Sequence, residues 1–70
     1  MLPKLAADYN LRNGMQVRVL GLTRWAGKDY VTFGNEHGDV RTFVLSDWQA
    51  TGPTEAPWYN VRKTLAVKGA

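Results

Sequence analysis

The sequence predicts a small, mainly β, antiparallel domain. Apolar and polar residues alternate over several short segments, as they do in half-buried strands. Polar or glycine-containing turns separate these segments at short intervals. The chain has 70 residues and no cysteine, so one thin hydrophobic core has to stabilise it without disulfides or cysteine-bound metal.

Residues 1–12 are predicted to form a short helix or arm. Pro3 suits a first helical position. Four apolar residues follow helical spacing here: Leu2, Leu5, Ala6 and Tyr9. In the alternative interpretation, residues 9–12 form a strand that pairs with the next segment through a turn at Asn13–Gly14. A helix is the favoured interpretation of residues 3–11, and the hairpin is kept as the alternative.

Three segments that follow have the alternation of strands. Residues 15–22 are the clearest case, and residues 29–34 and 40–45 flank a polar turn, so that together they predict an antiparallel hairpin. The pattern places Val17 and Val44 in the core. Glycines at turns, Gly14 and Gly27 among them, mark positions where the chain bends or takes a positive φ.

A helical turn is predicted directly after the hairpin. Ser46 and Gln49 have the spacing of a capping box, in which each side chain satisfies a backbone donor of the first turn. Residues 51–57, which contain two prolines and a glycine, are predicted to be a loop, and residues 59–67 alternate as a last strand. Trp48 and Trp58 are expected to fill the interior.

This order of elements resembles the small antiparallel barrels of the Src-homology-three type, which include KOW, Tudor and integrase C-terminal domains. Residues 13–19 resemble their glycine-led first strand, and residues 44–48 resemble the strand that leads into their helical turn. The resemblance implies one domain over residues 1–70, with a barrel of four to five strands over residues 13–67. A short N-terminal helix and a helical turn near residues 46–50 complete the expected fold.

Residues for catalysis or metal binding are few. His37 is the only histidine and Ser46 the only serine, and both are already accounted for as turn and cap residues. A metal site from Glu36, His37 and Asp39 would have to draw its ligands from one tight turn with outward side chains. We therefore expect neither an enzyme nor a cofactor or metal site.

Charge is unevenly distributed along the chain. The net charge of +3 resolves into +4 for residues 1–28, −4 for residues 29–55 and +3 for residues 56–70. In a barrel of the resembled type the first and last strands are neighbours, and the alternation turns Arg18 and Arg62 outward on them. Like charges side by side favour either a neighbouring acid or an anionic ligand.

Trp25 lies in a polar loop between two cations, where an indole is not an ordinary core residue. Interleaved aromatic and basic side chains suit base stacking combined with phosphate contact. The predicted nucleic-acid-binding residues are therefore Arg18, Arg24, Trp25, Lys28, Arg62 and Lys63. They predict a basic cytoplasmic module that binds DNA or RNA weakly and mostly through backbone charge.

Three alternatives to nucleic-acid binding remain open. The first is a protein-interaction adaptor, of the compact kind carried by phages and mobile elements, that uses Trp25 and the acidic turn 35–39. The second is a methyl-lysine cage built from Trp25, Tyr30 and Phe33. The third is a homo-oligomer with an active site at its centre. No stretch of the sequence is long and apolar enough to predict a membrane partner.

Overall fold

A computed structural model describes residues 2–56, which form an antiparallel sheet with one short helix. The elements in chain order are β1 (Asp8–Asn10), β2 (Gln16–Trp25), β3 (Lys28–Asn35), β4 (Val40–Val44), α1 (Leu45–Ala50) and β5 (Thr54–Ala56). The strand order is β4-β3-β2-β1-β5. The mainly β prediction is confirmed. Over the described residues the sheet is open, with β4 and β5 as its edges.

One hydrophobic core lies between the sheet and α1. Its buried members are Tyr9, Leu11, Val17, Val19, Val31, Phe33 and Trp48. Trp48, on α1, is only 2% exposed, and its ring meets those of Tyr9 and Phe33 at centroid distances of 5.4 and 5.0 Å. Its predicted place in the interior is confirmed. A single indole thus joins the helix to β1 and β3.

The predicted hairpin of residues 29–45 is present as β3 and β4. Thr32 pairs with Thr42, and Tyr30 with Val44. Val17 is fully buried, as predicted. The predicted burial of Val44 is wrong, because the residue pairs with Tyr30 on the face away from the core and is only half-buried. Phe43 takes the core position on β4 instead, since it packs edge-on against Phe33 at 5.0 Å.

The predicted N-terminal helix is wrong, and the alternative hairpin is confirmed for residues 9 and 10. Tyr9 pairs with Val17 across β1 and β2. The Leu11 N–H donates to the Met15 carbonyl at 2.8 Å and closes the turn, in which Gly14 has a φ of +87°. Tertiary pairing overrides the helical spacing because Tyr9 alone among the four apolar residues of that pattern reaches the core.

Two further local predictions need correction. Helix α1 begins at Leu45, and its N-cap is Val44, which makes no side-chain capping bond, so Ser46 does not start a capping box. The predicted loop over residues 51–57 contains β5, whose Glu55 pairs with Tyr9. A three-residue edge strand directly after Pro53 is compatible with the proline, because no ladder bond is required of its nitrogen.

The remaining fold predictions concern residues 57–70 or the membrane. Trp58 and the predicted strand over residues 59–67 lie outside the described residues. Within residues 2–56, no helix is long and apolar enough to cross a membrane.

Candidate nucleic-acid interface

The hairpin of β2 and β3 extends beyond the strands beside it. On one side β1 pairs only with residues 16–18 of β2, and on the other β4 pairs with β3 only from Tyr30 to Gly34. The register along β2 shifts at a bulge between Val19 and Gly21, and a bulge increases the local twist of its strand. Residues 23–29 therefore form a two-stranded ribbon, which we call the hairpin tip.

A two-residue turn closes the hairpin tip. Trp25 pairs with Lys28, and the residues between them, Ala26 and Gly27, have φ values of +51° and +77°. A type I′ turn requires positive φ at both positions and suits the right-handed twist of a hairpin. Gly27 adopts this conformation freely, whereas Ala26 is strained by its Cβ. The turn fixes Trp25 and Lys28 directly opposite each other.

Side-chain alternation defines the two faces of this ribbon. Val31 and Phe33 point into the core, so Lys28, Tyr30 and Thr32 point the other way. The register puts Trp25 opposite Lys28 and Thr23 opposite Tyr30. We call the surface formed by these residues the outer face; its members are Thr23, Trp25, Lys28, Tyr30 and Thr32. An aromatic pair and a cation thus share one surface, which continues onto β4 through a 2.8 Å bond between the Thr32 and Thr42 hydroxyls.

Trp25 is the most exposed large apolar residue of the described part of the chain, at 70%. Tyr30 on the same face is half-buried. Phe33 is buried on the opposite side of the sheet, so the methyl-lysine cage from Trp25, Tyr30 and Phe33 cannot assemble. The indole is available to a planar partner from solvent.

Two of the predicted cations lie at the hairpin tip. The Arg24 Nε atom is 3.5 Å from Asp29 Oδ1, and the Arg24 side chain is 72% exposed. Exposed pairs of this kind contribute little to stability, so the guanidinium can exchange partners at small cost. Lys28 is exposed and makes no ion pair within residues 2–56.

Arg18 has a different environment. Its Nε atom donates to Asp8 Oδ1 at 3.0 Å, with the Arg18 side chain 19% exposed and that of Asp8 fully buried. A neighbouring acid, one of the two partners expected from the sequence, therefore holds this cation. Arg62 and Lys63 lie outside the described residues. The structure thus brings together Arg24, Trp25 and Lys28 among the six predicted residues.

Tyr30 is a member of the outer face that the sequence analysis did not select as a nucleic-acid contact. Its signal was available in the pattern, since Lys28, Tyr30 and Thr32 are spaced by two along one strand and must share a face. The alternation of β3 therefore indicates its solvent-facing residues as well as its core residues, Val31 and Phe33.

The other residues considered as sites are not brought together in the structure. The acidic turn 35–39 is at the opposite end of β3 from Lys28, about 23 Å away for eight residues of extended chain. Trp25 and that turn therefore cannot form one compact contact of the adaptor type. Likewise His37 and Ser46 flank the two ends of β4. His37 instead faces Glu36, with the Nε2 and Oε1 atoms 3.6 Å apart.

No protein-family model, curated protein or solved structure matches this chain. The functional interpretation of the hairpin tip accordingly depends on the geometry and chemistry of its own residues.

Proposed function

We propose that this protein is a small binding module that contacts DNA or RNA weakly, mostly through the phosphate backbone, with the hairpin tip as its contact. One observation carries the proposal: Trp25 is 70% exposed and lies beside Arg24 and opposite Lys28 on a two-stranded ribbon. An exposed indole flanked by cations suits a ligand that offers both π-faces and negative charge.

The positions of the charged side chains support this proposal, whereas the net charge of the described residues does not. Residues 2–56 carry equal numbers of acidic and basic side chains, so no net attraction to phosphate arises from them. The acidic turn 35–39, however, lies about 23 Å from Lys28 along β3, which exceeds the Debye length of about 8 Å at physiological ionic strength. The hairpin tip, with two cations and Asp29, is locally positive.

We also propose that the sheet belongs to a barrel of the Src-homology-three type. The strand order β4-β3-β2-β1-β5 and the position of α1 between β4 and β5 support this proposal. Arg62 and Lys63, which lie outside the described residues, are proposed as further phosphate contacts. The proposal for binding does not depend on closure of the barrel.

The proposed binding is tested by titrating a fluorescently labelled oligonucleotide at several salt concentrations and measuring its anisotropy. Phosphate contacts release counterions, so the logarithm of the association constant falls linearly with the logarithm of salt concentration. Arg24→Gln and Lys28→Gln are each expected to weaken binding and to reduce that slope by about 1. Arg41→Gln, which removes an exposed cation from β4, is the matched control and should leave the affinity and the salt dependence unchanged.

Three results would contradict the proposal. The first is an absence of binding at low salt. The second is a binding constant that does not depend on salt, and the third is one that Arg41→Gln changes as much as the two hairpin-tip variants do.

A further inference from the structure

We infer that the outer face selects single-stranded over double-stranded nucleic acid, with Trp25 and Tyr30 each stacking on one base. This inference rests on the proposed function and adds to it the form of nucleic acid and a second aromatic contact. The observation behind it is the placement of both rings, together with Lys28, on one face of β2 and β3.

The spacing of the two rings decides between single and double strands. Trp25 lies opposite Lys28, and Tyr30 is two residues further along β3, so the rings are diagonal neighbours whose attachment points lie about 7 Å apart. Successive bases in one strand of a duplex rise by only about 3.4 Å. A strand that places neighbouring bases on both rings must therefore be extended and unstacked, which a duplex is not.

The two rings are available to separate bases. They are not among the contacting aromatic pairs of the described residues, which are confined to the core. On the β2 side of Tyr30 the outer face carries short groups: Thr23 faces Tyr30, and Gly21 faces Thr32. A planar base can approach this side of the Tyr30 ring because the neighbouring β2 side chains are short.

Lys28 supplies the charge that this arrangement needs. It is exposed and lies directly opposite Trp25 on the same face, so a base on the indole brings its phosphate within reach of the ammonium group. Arg24 points to the other face of the ribbon, because side chains alternate along β2. Base stacking and the nearest phosphate contact therefore occur on one surface, with Arg24 reaching the backbone from the edge.

A comparison of three ligands tests the inference with the intact protein. The ligands are a labelled 12-mer of single-stranded DNA, the same strand annealed to its complement, and an abasic strand with the same number of phosphates. Stacking of a base on an aromatic side chain contributes about 1–3 kcal/mol. The single strand is expected to bind at least about tenfold more tightly than the abasic strand or the duplex.

Conservative substitutions separate stacking from simple hydrophobic contact. Trp25→Leu keeps an apolar side chain but loses the π-face, and should weaken single-strand binding about tenfold, whereas Trp25→Phe should retain much of it. Tyr30→Leu and Tyr30→Phe form the second such pair. Val40→Ala, at an exposed residue of β4, is the control. Thermal melting shows which variants are folded. If Tyr30→Leu does not fold, the comparison of Trp25→Leu with Trp25→Phe still tests stacking.

The outcomes distinguish this inference from the proposed function. Equal, salt-dependent affinity for all three ligands, lowered by Lys28→Gln, would overturn the inference and leave backbone binding intact. Unchanged single-strand affinity in Trp25→Leu would also overturn it. Failure of every oligonucleotide to bind at low salt would overturn the proposed function itself.

Discussion

The two ends of strand β2 carry ion pairs of opposite character. At its start, Arg18 binds the fully buried Asp8 carboxylate at 3.0 Å. Near its end, Arg24 lies 3.5 Å from Asp29 with most of its side chain in solvent. The same residue type on the same strand therefore serves different purposes: the first cation balances a buried charge, and the second is free to meet a ligand.

The contrast follows from what surrounds each cation. Val17 and Val19, on either side of Arg18, are fully buried, so the start of β2 is packed among other strands. After the bulge between Val19 and Gly21 the strand is paired with β3 alone among the described residues. Isolation from water makes the first pair expensive to break, and exposure makes the second exchangeable.

The largest expected effect is that of breaking the buried pair. Asp8→Asn leaves Arg18 without its carboxylate in a mostly desolvated position, and should lower the free energy of unfolding by about 3 kcal/mol. Urea denaturation measures this change. The matched variant Asp29→Asn at the exposed end should lose less than about 1 kcal/mol. Equal losses in the two variants would show that the two ends of β2 do not differ.

The core at the buried end gives the next largest effect. Val17→Ala should cost about 2–3 kcal/mol, because it opens a cavity among fully buried side chains. Val44→Ala, at a half-buried residue, should cost less than about 1 kcal/mol. The pair is compared by thermal or chemical denaturation. A greater loss for Val44→Ala would place the core on the other face of β4.

The turn at the exposed end offers a gain in stability. Ala26 has a φ of +51°, which asparagine tolerates better and prefers before glycine in a type I′ turn. Ala26→Asn should raise the free energy of unfolding by about 0.5–1 kcal/mol, measured as an increase in Tm. A decrease would mean that this turn is not type I′. Gly27→Ala is the opposite control and should destabilise the protein.

The smallest stability effect is expected at Arg24. Arg24→Gln removes only a solvent-exposed ion pair, so the free energy of unfolding should change by no more than about 0.5 kcal/mol. Denaturation of the same preparation used for the binding titration checks this point. A loss comparable to that of Asp8→Asn would assign Arg24 a structural role instead.

Period-two alternation predicted β2 and β3 because each has buried residues two apart on one face, Val17 and Val19 on β2 and Val31 and Phe33 on β3. β4 has no fully buried residue, and there the alternation found the strand but assigned its core face to the wrong residues. Val17 and Val31 therefore mark their strands without knowledge of the partners. The N-terminal segment was predicted wrongly for the complementary reason: β1 has only three residues, too few to show a period, and its pairing with β2 and β5 is a tertiary effect. Strand β5 (Thr54–Ala56) was not predicted because it too has only three residues.

The candidate site was partly predictable. Trp25 and its flanking cations were predicted as contacts because an indole between charges is unusual in a polar loop. The predicted loop itself is wrong, because Trp25 ends β2 and Lys28 begins β3, with only Ala26 and Gly27 between them. The partner of Arg18 was not predictable, because Asp8 reaches it through the pairing of β1 with β2, in a segment interpreted as a helix. The joint exposure of Trp25 and Tyr30 likewise required the register of the two strands.

The most direct test of the contrast between the two ends of β2 is the affinity of Asp29→Asn for a single-stranded oligonucleotide at low salt. This substitution removes the acid that faces Arg24 and leaves the core unchanged. Binding is expected to be about two- to fivefold tighter than that of the unmodified protein, since one repulsive charge near the phosphates is gone. Unchanged or weaker binding by the folded variant would show that Arg24 is not an exchangeable cation that meets the phosphates.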